Sequence, residues 1–188
     1  MRQLKSLQKR KGVNKMKFFN MLTTFKAEPC LLDVQDPQNI LFKFFILNLN
    51  DELNKVKMPI RLYAQEFYNF KNIRDFDYFQ ATENFPVFSK KAKDILEKYL
   101  IDQMDFYPCT IIVDQHKIEA FIGKIKIYKK LFNRVNDFKI EFIGNNIDND
   151  FIIRDSEMEH LYVVTENFKK KCEDNNLAIL FKEFLLMG

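Results

Sequence analysis

The chain has 188 residues, enough for one domain with a sizeable core, and its 47% hydrophobic and 15% aromatic content excludes a chain dominated by disorder. With 21 Phe and only 4 Gly and 5 Pro it is neither fibrous nor linker-rich. The net charge of +4 is an uneven average: residues 1–17 carry Arg2, Lys5, Lys9, Arg10, Lys11, Lys15 and Lys17 and no acid, so +7 there leaves −3 for residues 18–188.

The first 17 residues therefore read as a basic, solvated tail, with 18–188 as a single domain. A tail of this kind also admits non-specific, salt-sensitive binding of nucleic acid, because it would release counterions from a polyanion. Phe18–Leu22 is too short and too polar for a secretory segment. Glu28-Pro29 and Asp36-Pro37 then punctuate short extended pieces.

Ile40–Leu47 has the length and aromatic content of a buried strand, with Asn48–Asp51 as its closing turn. It is far too short to span a bilayer. Met58–Phe70 fits neither period well, and Arg74–Phe79 alternates polar and aromatic residues as a half-exposed strand or an ordered loop would. Ser89 is placed as a helix cap, its hydroxyl accepting a first-turn N–H, and Ala92, Ile95, Leu96, Tyr99 and Leu100 follow at helical spacing.

Thr110–Val113 and Ile118–Ile122 flank the turn Asp114–Lys117 as a hairpin. Lys124–Tyr128 and Phe138–Phe142 alternate as strands of a sheet with one wet face. Near the end a short apolar strand leads to Thr165 as a second cap, with Glu166 in the first turn where the helix dipole favours an anion. Phe168 and Cys172 share one face of that helix, and Leu177–Leu186 returns as a strand. The fold expected is α+β, a mostly antiparallel sheet with two short capped helices packed on it. Ser89, Ala92 and Leu96 align with Thr165, Phe168 and Cys172, a weak internal echo that binary patterning alone can produce.

Catalytic chemistry is sparse. His116 falls in a turn and His160 before an apolar strand, and both read as surface residues without metal-ligand spacing around them. The glycines form no phosphate loop and no nucleophile elbow. Cys30, Cys109 and Cys172 are odd in number, far apart and in apolar company, so they read as buried thiols of a reducing compartment. Asp75 with Asp77, or Asp148 with Asp150, could hold a divalent cation, but solvated loop acids are the commoner case. No cofactor, metal or enzymatic activity is expected, and the protein is expected to be cytoplasmic, without a membrane partner.

One run stands out as a candidate binding surface. Asp148, Asp150, Asp155, Glu157 and Glu159 crowd together around a single Arg154. Such a run is either a solvated loop or an acidic patch that steers a basic protein partner. Asp75 and Asp77 extend the candidate surface, with Phe76, Tyr78 and Phe79 as aromatic anchors or core residues.

A resemblance covers residues 85–186. Pro86-Val87-Phe88-Ser89-Lys90-Lys91-Ala92 followed by Ile95-Leu96, then Ile152–Glu157, Leu161–Lys169, Asn176-Leu177 and Leu180–Phe184 resemble the core of immunity proteins from bacterial polymorphic-toxin systems. The group is immunity protein 43 and its relatives with the DUF1629-type domain. Lys124–Asp137 departs from the resemblance, being basic and aromatic where relatives are acidic and Asn-rich. The resemblance implies a small non-catalytic protein that binds and neutralises a cognate toxin domain, as a monomer or a homodimer. It carries over no contact residue by motif.

Overall fold

A computed structural model of the chain describes residues 17–23, 31–36, 38–55, 59–136, 139–143, 147 and 149–184. Residues 1–16 of the basic tail, Cys30, Asp148 and the turn at 144–146 lie outside the described residues, whereas Lys17 is described and stands 3.1 Å from Glu183. In chain order the elements are β1 (Phe18–Leu22), β2 (Leu31–Val34), α1 (Ile40–Phe45), β3 (Ile60–Ala64), α2 (Phe70–Ile73), β4 (Tyr78–Ala81), β5 (Pro86–Ser89) and α3 (Lys90–Leu96). They continue with β6 (Met104–Val113), β7 (His116–Ile125), β8 (Tyr128–Lys129), β9 (Phe132–Asn136), β10 (Lys139–Phe142), β11 (Ile152–Asp155), β12 (Tyr162–Thr165), α4 (Glu166–Asp174) and β13 (Leu180–Glu183). The fold is α+β. Among the described residues no helix is long and apolar enough to cross a membrane.

Six strands close a barrel in the order β2-β3-β6-β7-β5-β4, returning to β2. The expected hairpin is its longest unit, paired from Met104↔Ile125 to Val113↔His116. The β2/β4 and β3/β6 pairs are parallel, and the remaining barrel pairs are antiparallel. Side chains alternate across a strand, so Ile60 and Leu62 of β3, Cys109, Ile111 and Val113 of β6, and Ala120 and Ile122 of β7 fill the interior. Met104, Phe88 and Ile125 belong to a second core outside the barrel.

The Ile40–Phe45 segment is a helix and not the expected strand. Asp36 decides this: its carboxylate accepts the N–H groups of Ile40 at 2.8 Å, Leu41 at 2.6 Å and Phe42 at 3.2 Å. These are first-turn donors that a helix leaves without an internal partner. Leu41, Phe44 and Phe45 then share a buried face at helical spacing. Phe45 meets Phe44, Phe85 and Tyr107 with ring centroids 4.9–5.4 Å apart, joining α1 to the barrel core. Met58–Phe70 resisted a single period because it holds a strand, a turn and the start of a helix.

The second sheet runs β13-β1-β12-β11-β8. Phe19, Ile152 and Val164 on one face join Ala92, Leu96, Phe168 and Cys172 of α3 and α4 in the second core. Phe18, Ile153 and Val163 on the other face pack with Leu131, Phe132, Ile147 and Met158. The two strand–cap–helix units that echo each other in sequence thus bury their helices in one core.

Ser89 caps α3 as expected, its Oγ accepting the Ala92 N–H at 3.0 Å. The helix stops at Leu96 and tightens into a 3₁₀ turn over Glu97–Tyr99. Thr165 holds the N-cap position of α4 but its side chain does not cap. Its hydroxyl donates instead to the Asp150 carbonyl at 2.9 Å, tying the helix start to the segment before β11.

Candidate functional site

At the end of β11 two consecutive charged residues are fully buried, Arg154 and Asp155, both 0% exposed. Alternation along the strand sends them to opposite faces of the sheet. Asp155 Oδ2 accepts the N–H groups of Leu131 at 2.6 Å and Phe132 at 2.8 Å, in the connection from β8 into β9. Its Oδ1 accepts those of Glu157 at 2.9 Å and Met158 at 2.6 Å, in the loop between β11 and β12. Burial works to raise the Asp155 carboxyl pKa, and the four backbone N–H bonds outweigh it, holding the group below the ordinary carboxylate value.

Arg154 braces the same loop from the other face. Its Nη1 donates to the Glu159 carbonyl, and its Nη2 reaches toward the Asn84 carbonyl at 3.4 Å. The guanidinium lies 5.4 Å from the centroid of the Tyr162 ring. Burial draws its pKa down, opposed by Tyr128, Tyr162 and Glu159. Among the described residues its Nε–H has no partner. Tyr162 and Tyr78 place their hydroxyls 2.7 Å apart beside it, and burial pushes the Tyr162 phenol up to about 12. Tyr128 donates to the Ile46 carbonyl at 3.0 Å, so this polar seam joins the second sheet to the barrel side.

Between the two segments held by Asp155 lies an open groove of about 460 Å³. One wall is Lys130, Asn133 and Arg134; the other is Glu157, Glu159 and His160, with Met158 at its base. Lys130 Nζ stands 2.8 Å from Glu157 Oε1, an ion pair between the walls. Both members are about half exposed, and a pair of that kind adds little stability.

The acidic run is therefore divided. Asp155 is buried and bound to backbone, so its carboxylate is not available to a partner. Asp150 is partly buried and paired with Lys129 at 2.6 Å. Glu157 and Glu159 line the groove together with Lys130 and Arg134, and Glu157 is paired with Lys130. Asp148 lies outside the described residues.

Asp75 and Asp77 belong elsewhere. Asp75 is exposed on the turn before β4, 3.4 Å from Arg74. Asp77 is buried where α3 meets the segment after α4. It accepts the Ser89 hydroxyl at 2.6 Å, the Ala178 N–H at 2.7 Å and Lys91 Nζ at 3.1 Å. Phe76, Tyr78 and Phe79 are all core residues.

Among the described residues no group of three or more His, Cys, Asp or Glu side chains is placed to hold a metal. Cys109 and Cys172 are buried; burial pushes the Cys109 thiol up to about 12 and raises Cys172 as well. Thiols held protonated in this way are poor nucleophiles at neutral pH. His116 is exposed and stacks on Phe70 at 4.3 Å. No family model matches the chain, and no curated protein matches it.

The cationic wall was missed in the sequence, although the basic character of Lys124–Asp137 was its signal. Arg154 also went unread as a buried group. The clue there is Ile152-Ile153-Arg154-Asp155, two apolar residues leading straight into two charges on one strand.

Proposed function

We propose that this protein is a cytoplasmic, non-catalytic immunity protein that binds a cognate bacterial toxin domain and neutralises it. The observation that carries the reading is the Asp155 carboxylate, which holds both walls of the charged groove through four backbone hydrogen bonds. A loop surface fixed before binding loses less conformational entropy on association, which is what a tight inhibitor needs. The resemblance of residues 85–186 to immunity proteins supplies the class of partner.

The test is co-expression with the product of the adjacent upstream gene. Survival of the cells and co-elution of the two proteins on gel filtration are the expected results. Continued killing with no complex would overturn the proposal.

A further inference from the structure

Resting on that reading, we infer that the groove receives an extended segment of the partner, laid along the edge of β9 opposite β10. That segment carries an acidic side chain toward Lys130 and Arg134 and a basic one toward Glu157 and Glu159.

Asn133 and Arg134 are consecutive residues of β9, so their side chains leave opposite faces of the strand. Both nevertheless line the groove. Among the described residues β9 pairs only with β10, through Phe132↔Phe142, Asn133↔Glu141 and Arg134↔Ile140. Among the described residues no strand pairs with its other edge, where the Phe132 N–H is taken by Asp155 and the backbone beyond it is open to a partner strand, the main-chain mode of peptide capture. Asn133, Arg134 and Val135 are all exposed there.

The charges select the occupant. A uniformly acidic wall would suit any basic surface, whereas walls of opposite sign suit a segment with both signs in a fixed order. The concave shape favours an inserted segment over a second copy of the same groove, since an isologous contact would set two hollows face to face. The walls are also held in place before binding. Asp155 fixes Leu131, Phe132, Glu157 and Met158, and Arg154 fixes the Glu159 carbonyl from the opposite side of the sheet.

The deciding variant is the exchange Lys130→Glu with Glu157→Lys, which keeps the ion pair and puts one charge of the wrong sign on each wall. The probe is the domain encoded immediately upstream, with affinity read by calorimetry and amide protection by hydrogen exchange. The exchange variant is expected to keep the wild-type Tm and to bind about tenfold or more weakly, as misplaced charges at an interface do. The β9 amides are expected to gain protection in the wild-type complex. Wild-type affinity in the exchange variant, or β9 amides that stay unprotected in a formed complex, would overturn the groove as the contact while the binding reading stands. Failure of the wild-type protein to form any complex would overturn both. A concentration-dependent homodimer that protects β9 by itself would assign the groove to a second copy and also overturn the inference.

Discussion

The barrel and the groove are held by different forces. The barrel interior is apolar, with Leu32, Leu62, Phe79, Val87, Ile111 and Ile122 all at or near zero exposure and α1 packed into the same core. Such contacts are non-directional and scale with the area removed from water. The groove is built from two segments that bury Leu131, Phe132 and Met158 against one face of the second sheet and leave their charged side chains outside. Beyond that packing, their backbones are pinned to each other by Asp155 and Arg154, buried charges whose hydrogen bonds are directional. Apolar packing gives this protein its mass of stability, and buried charge gives one small surface its shape.

Four substitutions separate the two regions, taken in order of size. Phe45→Ala, in the aromatic cluster of α1, should destabilise the whole fold by about 4 kcal/mol in chemical denaturation. The protein that remains folded should still bind the proposed partner with wild-type affinity. Asp155→Asn removes acceptor capacity for two of the four N–H groups and should cost about 3 kcal/mol, since buried donors left unpaired are expensive. Unlike Phe45→Ala, it should also weaken partner binding after correction for the folded fraction. Equal affinities in the two variants would erase the distinction between the regions.

Ser89→Ala removes the cap of α3 and a donor to Asp77, and should cost about 1 kcal/mol without touching the groove. Lys124 sharpens the comparison from the barrel side. It is a buried cation 3.8 Å from the centroid of the Phe44 ring, hydrogen-bonded to the Asn50 side chain. Burial lowers its pKa, opposed by Asp105, so its protonated form is disfavoured in the folded state. That penalty is present at neutral pH and is relieved as pH rises through the folded pKa toward the unfolded value. Lys124→Met should therefore be neutral or stabilising by about 1 kcal/mol in thermal melts, because a buried charge is often replaceable by an apolar isostere.

The contrast also explains what could be read from the sequence. The β6–β7 hairpin, the Ser89 cap and the strand–helix unit from β12 into α4 were legible because each depends on local periodicity or on a side chain within three residues. The barrel was not. Its closure rests on the parallel β2/β4 and β3/β6 pairs, which join segments far apart in the chain. The α1 segment misled because its aromatic content suits a strand, while the three N–H groups that make it a helix are claimed by Asp36. Asp155 is the sharpest case. A carboxylate among four other acids looks solvated, but two of the N–H groups that draw it inside belong to Leu131 and Phe132, some two dozen residues earlier. The groove could not be seen until those two segments met.

The brace itself is open to direct measurement. Because the folded pKa of Asp155 is held below its unfolded value of about 3.9, its stabilisation is complete above that pH and is lost as pH falls through the folded pKa. An NMR titration following the Asp155 carboxyl carbon together with the amides of Leu131, Phe132, Glu157 and Met158 tests this. The expected result is one shared midpoint below about pH 3.9, with all four amides shifting with the carboxyl. A carboxyl midpoint at or above that value, or amides that do not follow it, would contradict the claim that one buried carboxylate holds both walls of the groove.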